Sequence, residues 1–155
     1  MLPLLLFSIK PNKVGRIVAI DYGKKRVGIA VTDELQMFAT GLTTVPAQDI
    51  FVFLKNYFDS ETIDEIIVGK ATQMNGSDSE SMVYATPFFN RLKKLYPTIR
   101  ISWFDERFTS KMASAAISLS GLKKKDREDK ALIDKVSATI LLQSYLESKT
   151  YIQNK

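Results

Sequence analysis

An apolar strand that ends in an acid and then turns on glycines constrains this chain more than any other feature. It reads Arg16-Ile17-Val18-Ala19-Ile20-Asp21-Tyr22-Gly23, after which Lys24-Lys25-Arg26 lead into Val27-Gly28-Ile29-Ala30-Val31. A short β-branched run of this kind suits a strand covered on both faces. Its terminal carboxylate is then held rigidly and aimed beyond the sheet edge. Gly23 frees the backbone to turn, and Gly28 leaves room for a close neighbour in the returning strand. Two functions use such a device: holding a divalent metal, or cradling a nucleotide phosphate. The plain alternative is a hairpin whose acid caps its own turn.

What the chain omits narrows the chemistry. Its 155 residues contain neither cysteine nor histidine. Disulfides, thiolate zinc sites, imidazole metal sites and the Ser-His and Cys-His nucleophile systems are therefore excluded, and a reducing cytoplasm is the natural setting. Catalysis must rest on carboxylates, lysines, hydroxyls and a bound hard cation, for which Asp and Glu oxygens suit magnesium or manganese. The length predicts one domain with a single good core. The net charge of +5 is compatible with a polyanionic partner. The apolar Leu2-Pro3-Leu4-Leu5-Leu6-Phe7 lacks a preceding positive region and a cleavage site, and is too short to span a membrane. Residues 1–15 are expected to be an extension, 16–149 the domain and 150–155 a tail.

The periodicities predict an α/β order. Strands over Arg16–Ile20, Val27–Thr32 and Met37–Val45, the third broken at Gly41, form an antiparallel meander. A helix opens at Pro46-Ala47-Gln48-Asp49 and carries Ile50, Phe53, Leu54, Tyr57 and Phe58 at helical spacing. Glu65-Ile66-Ile67-Val68 is a short strand ending at Gly69. A loop over Gln73–Ser79, a helix over about Ser81–Tyr96 and a last strand over Ile99–Phe104 follow, the last running into Asp105-Glu106-Arg107. Helices over about Ser110–Leu119 and Lys130–Lys149 close the chain. The whole predicts a mixed five-stranded sheet flanked by helices. Functional groups in open α/β sheets gather beyond the carboxyl ends of strands, where Asp21 and Asp105/Glu106 lie.

A third acid stands in the last helix. Asp134 shares its helical face with Ala138, Leu141 and Tyr145. An acid on an apolar face is costly unless paired or metal-bound, although a place near the helix N-terminus also favours negative charge. With the two strand-end acids it predicts a three-carboxylate cluster. Such a cluster performs phosphodiester hydrolysis when two metals activate a water and stabilise the leaving oxygen.

Four segments, in order, resemble the YqgF/RuvX family of pre-16S rRNA nucleases, relatives of Holliday-junction resolvases. They are Asp21-Tyr22-Gly23-Lys24-Lys25-Arg26-Val27-Gly28-Ile29-Ala30; Val68-Gly69 with Met74-Asn75-Gly76-Ser77; Asp105-Glu106-Arg107-Phe108-Thr109-Ser110; and Asp134-Lys135-Val136-Ser137-Ala138 with Ile140-Leu141-Leu142-Gln143-Ser144-Tyr145-Leu146. The match spans roughly Arg16 to Leu146. It implies a ribonuclease H-like fold and a cytoplasmic bacterial nuclease maturing the 5′ end of 16S rRNA. By position it implies catalytic, metal-binding acids at Asp21, Glu106 and Asp134, with Mg2+ or Mn2+. Adjacent side chains diverge at a strand end, so only one of Asp105 and Glu106 should point inward. The chain departs from the family after Gly69, where Lys70-Ala71-Thr72-Gln73 replace an apolar residue and a proline.

Nucleic-acid contacts are expected from Lys24, Lys25, Arg26, Arg107, Lys123, Lys124 and Lys125. The stretch Lys123–Lys130 carries a local excess of two positive charges, which suits either a phosphate backbone or a solvated connection. Arg26 could hold a scissile phosphate or orient a catalytic carboxylate, and Arg107 invites the same two readings besides a plain salt bridge. Trp103 and Phe104 are expected in the core. The expected partners are structured RNA or, with the same chemistry, branched DNA, together with ribosomal or transcription-associated proteins. No membrane association and a monomer or weak dimer are expected. A non-catalytic RNA-binding module is the competing class. A nucleotide phosphotransferase needs a second such domain, which 155 residues do not supply.

Overall fold

The β-branched runs pair into one five-stranded sheet in the computed structural model, which describes residues 15–71, 80–105 and 130–153. Strands β1 (Arg16–Tyr22), β2 (Arg26–Thr32) and β3 (Ala39–Pro46) form the antiparallel meander. β4 (Ile63–Lys70) and β5 (Arg100–Asp105) run parallel to β1, giving the order β3-β2-β1-β4-β5. The irregularity expected at Gly41 is a bulge beside it: Ile29 pairs with Thr43 and Ala30 with Gly41, so Leu42 is the extra residue. Helix α1 (Ile50–Ser60) follows a 3-10 turn at Ala47–Asp49, and α2 is Met82–Leu95. Helix α3 runs Lys130–Gln153, into the segment expected to be a tail. The expected loop Gln73–Ser79 and the expected helix Ser110–Leu119 lie wholly outside the described residues, as does the apolar stretch Leu2–Phe7. Among the described residues no helix is long and apolar enough to cross a membrane.

Strand alternation sends side chains to two cores. Val18 and Ile20 of β1, Val27 and Ile29 of β2 and Ile66 and Val68 of β4 pack with Leu54 of α1 and Phe88, Phe89 and Leu92 of α2. On the opposite face Ile17, Ala19, Ala30 and Ile67 pack with Ala138, Leu141, Leu142 and Leu146 of α3. The central strands are apolar in both directions because each face is covered by helices. Small residues on the α3 side, Ala19, Gly28, Ala30 and Gly41, let that helix lie close to the sheet.

Aromatic pairs fix the outer elements. Trp103 stacks on Phe89 at 4.1 Å between centroids, while Phe104 meets Tyr145 edge-on at 5.6 Å. Successive β5 residues thus belong to opposite faces, and both aromatics are core, as expected.

Candidate active site

The turn after β1 is closed by its own backbone. Gly23 N–H donates to the Arg26 carbonyl at 2.9 Å, and Ala47 N–H donates to the Lys25 carbonyl at 2.9 Å. A Cβ on Gly23 would lie 2.6 Å from the Arg26 oxygen, so only glycine closes this turn. Asp21 precedes it, in register with Gly28 of β2. Residues opposite one another in an antiparallel pair project to the same face, and Asp21 follows Ala19 by two, so its side chain belongs to the α3 side.

Gly28 is where α3 touches the sheet. A Cβ there would lie 2.1 Å from the backbone oxygen of Asp134 and 3.2 Å from the nitrogen of Lys135. The space left by Gly28 is therefore filled by the first turns of α3, and the neighbour it accommodates is a helix backbone. This contact sets Asp134 against the cross-strand partner of Asp21. Two of the three expected acids, over a hundred residues apart, are thus set on either side of Gly28.

Asp134 is half-buried above a floor of Ala138 and Leu141. Its Oδ2 accepts from Nε of Arg26 at 3.0 Å. Arg26 is thus paired with one of the expected acids. Since Arg26 opens β2 and Asp134 rests on Gly28, guanidinium, carboxylate and glycine form one unit. Its parts are joined by a backbone contact below and an ion pair beside.

Lys24 and Lys25 are exposed on the turn, with Lys24 Nζ over the Tyr84 ring at 5.3 Å from its centroid. Asp105 pairs with Lys70 at the end of β5 and shares the parity of Trp103, which faces α2. Its side chain therefore belongs to the face opposite Asp21. Glu106, Arg107, Lys123, Lys124 and Lys125 lie outside the described residues. Among the described residues no group of three or more Asp or Glu side chains is assembled. Carboxylates such as those of Asp21, at a strand end, and Asp134, on a helix face, are hard oxygen donors of the kind a divalent cation takes.

Two residues were not singled out from sequence. Tyr84 lies on the first turn of α2 with its ring partly exposed; its signal was an aromatic one helical turn before the core residue Phe88. Glu65 is buried in β4 on the α3 face, where Tyr145 Oη donates to it and Lys149 Nζ lies at 3.5 Å. Burial, and then the hydrogen bond to Glu65, push the Tyr145 phenol above its ordinary range. The signal was two adjacent acids, Asp64 and Glu65, at the start of an apolar strand, of which alternation turns one inward. The role is structural: it pins the far half of the helix that carries Asp134.

Sheet order, helix placement and strand-end acids together define a ribonuclease H-like α/β protein. The chain aligns with the structure titled T. thermophilus RuvC in complex with Holliday junction substrate, at TM-score 0.50 and 14% identity, over 88% of this chain and 97% of that one. A family model described as "RuvX: Holliday junction resolvase" matches residues 15–148. A protein of Phocaeicola vulgatus named "Putative pre-16S rRNA nuclease" is 55% identical over 139 residues, 90% of this chain and 100% of that protein. Similar proteins of the same name occur in Parabacteroides distasonis, 51% identical over 89% of this chain and 99% of the relative, and in Flavobacterium johnsoniae, 49% identical over 88% and 99%. The chain belongs to the RuvX (YqgF) family.

Proposed function

We propose that this chain is a metal-dependent endonuclease that hydrolyses phosphodiester bonds in structured RNA, acting in the cytoplasm on the 5′ end of pre-16S rRNA. The observation that carries the reading is that Gly28, in register with Asp21, also receives the backbone of Asp134, whose carboxylate Arg26 holds. The names borne by the family and its relatives point to the same chemistry.

In this reading Asp21, Asp134 and Glu106 hold Mg2+ or Mn2+. Glu106 is chosen over Asp105 because Asp105 has the parity of the opposite face. The bound cation supplies water activation and stabilisation of the leaving oxygen. The chain's own residues position the reactants. The Arg26 contact is to Oδ2 of Asp134, so the carboxylate offers its second oxygen in a fixed direction. Lys24 and Lys25 stand on the exposed turn beside Asp21 and neutralise phosphates flanking the scissile one. Arg107, Lys123, Lys124 and Lys125 are further candidates for contacts to the phosphate backbone. A water oxygen attacks phosphorus, one P–O ester bond breaks, and the departing oxygen takes up a proton.

The second reading, branched DNA as substrate, is favoured by the fold shared with RuvC in its junction complex. The test is cleavage of a pre-16S rRNA 5′-leader fragment and of a four-way DNA junction, with Mn2+, Mg2+ or EDTA. Asp21→Asn, Glu106→Gln and Asp134→Asn proteins run alongside. Metal-dependent cutting of the RNA, lost in all three variants, is the expected result. Junction cutting alone replaces RNA by DNA. Binding without cutting under either metal sinks the nuclease reading in favour of a binding module.

A further inference from the structure

Tyr84 stands at the same end of the sheet as the acids. β4 runs parallel to β1, so the chain leaves it near Asp21 and enters α2 there; the first turn of α2 lies at the strand carboxyl ends. One turn later Phe88 stacks on Tyr22, the residue after Asp21, with centroids 4.3 Å apart and planes 15° from parallel. That stack fixes α2 to the face of β1 opposite Asp21, so the link from the Tyr84 ring to the site runs around the strand end, through Lys24 of the turn that follows β1. Tyr84 is 42% exposed, beside Val83 at 71%. Lys24 Nζ stands over its ring, 5.3 Å from the centroid.

We propose that Tyr84 is a stacking platform for an unpaired base next to the scissile phosphate, so that this site takes substrate with a single-stranded nucleotide at the cleavage position. The inference rests on the nuclease reading of the same site. An aromatic face that attracts an ammonium also accepts a nucleobase, whose stacking is sequence-tolerant because every base has a π-face. Lys24 is displaced onto the adjoining phosphate as the base arrives, so a single step fills the ring and pairs the cation. A base inside a duplex cannot reach the ring, because both its faces are already stacked. The platform therefore distinguishes unpaired from paired substrate without reading sequence.

The test is binding, in EDTA so that nothing is cut, of a twelve-nucleotide oligoribonucleotide carrying 2-aminopurine and of the same sequence as a duplex. Wild-type protein quenches the single-stranded probe. Tyr84→Ala weakens single-strand binding about tenfold, within the range base–aromatic stacking supports, and abolishes the quench while duplex binding is unchanged. Tyr84→Phe and Tyr84→Trp restore both; Tyr84→Leu, which keeps bulk and carries the test should the alanine variant fold poorly, does not. Lys24→Ala keeps the quench and lowers the salt slope by about one. Unchanged binding by Tyr84→Ala or Tyr84→Leu overturns the proposal, as does an equal loss for duplex. Wild-type protein that binds neither probe overturns the nucleic-acid reading itself.

Discussion

Gly28→Ala is the sharpest perturbation the structure offers, because one methyl group acts on stability and on the site through the same contact. The added Cβ would lie 2.1 Å from the Asp134 oxygen and 2.6 Å from its carbonyl carbon. Relief to an ordinary contact requires α3 to move by roughly 1 Å, because both obstructing atoms are backbone in a close-packed interior. Overpacking of this kind costs about 1–3 kcal/mol, and backbone obstruction puts it at the upper end. The lower entropy of an unfolded chain with alanine offsets about 0.4–1 kcal/mol. A net loss of about 2 kcal/mol corresponds to a fall in Tm of roughly 4–8 °C for a chain of this size. Activity should fall further than stability. A carboxylate misplaced by about 1 Å costs roughly a hundredfold in rate.

Gly41→Ala is the internal control. Its Cβ meets Thr139 Oγ1 at 2.8 Å and Lys135 Cγ at 2.9 Å, atoms of side chains on the same helix. Side chains shift more readily than backbone, although Thr139 Oγ1 is tied to the Lys135 carbonyl, so this variant should lose about 1 kcal/mol, less than Gly28→Ala, and keep most activity. Urea unfolding gives the stabilities, and cleavage of the leader fragment at a temperature where both variants are folded gives the rates. A Gly28→Ala protein as stable as Gly41→Ala, or one destabilised yet fully active, would refute the claim that this glycine seats Asp134.

Two further perturbations separate the parts of the unit. Arg26→Ala removes a partly exposed ion pair, worth about 0.2–1 kcal/mol, so thermal unfolding should shift by only a few degrees while cleavage drops at least tenfold. Arg26→Lys should recover charge but little of the rate, because the contact is made by the guanidinium Nε. Tyr145→Phe leaves buried Glu65 without its hydroxyl donor and should cost about 1–3 kcal/mol near neutral pH. The Tyr145 phenol titrates above its ordinary value in the folded protein, raised first by burial and then by Glu65. Its neutral form is favoured by folding, so that contribution is complete below about pH 10 and is lost as pH rises beyond it. Denaturation from pH 8 to 11 should show wild type losing stability more steeply than Tyr145→Phe at the alkaline end, and parallel curves would contradict the assignment.

The parts of the fold legible in the sequence were those whose signals are local. The run ending at Asp21 is β-branched and bounded by glycine, and Pro46-Ala47-Gln48-Asp49 opens a helix; both elements formed within two residues of the expected bounds. The face of Asp134 was legible too, since helical spacing to Ala138 and Leu141 fixes which side is buried. Long-range partners were not legible. The sequence showed that Gly28 makes room but not that α3 fills it, and it left Arg26 with two partners of equal merit. Only the fold brings residues 26 and 134 within 3.0 Å. Glu65 escaped notice for the same reason: its donors, Tyr145 and Lys149, sit eighty or more positions away.

The attachments of α3 suggest why the site is built on two levels. At its far half the helix is anchored by buried contacts, Leu142 and Leu146 in the core and Tyr145 on Glu65. At its near end the anchor is a bare backbone contact on Gly28 together with an ion pair half open to solvent. Burial supplies the rigidity, and the exposed end supplies a carboxylate whose partner is a cation. A guanidinium at 3.0 Å orients Asp134 without withdrawing it from solvent. An apolar neighbour in place of Arg26 would leave the same acid on the same helix with nothing to fix its rotamer. Placing the arginine on the first residue of β2, opposite the turn that carries Asp21, couples both acids to one hairpin. Any shift of that hairpin moves them together, so their mutual geometry survives motions that would separate groups held on independent loops.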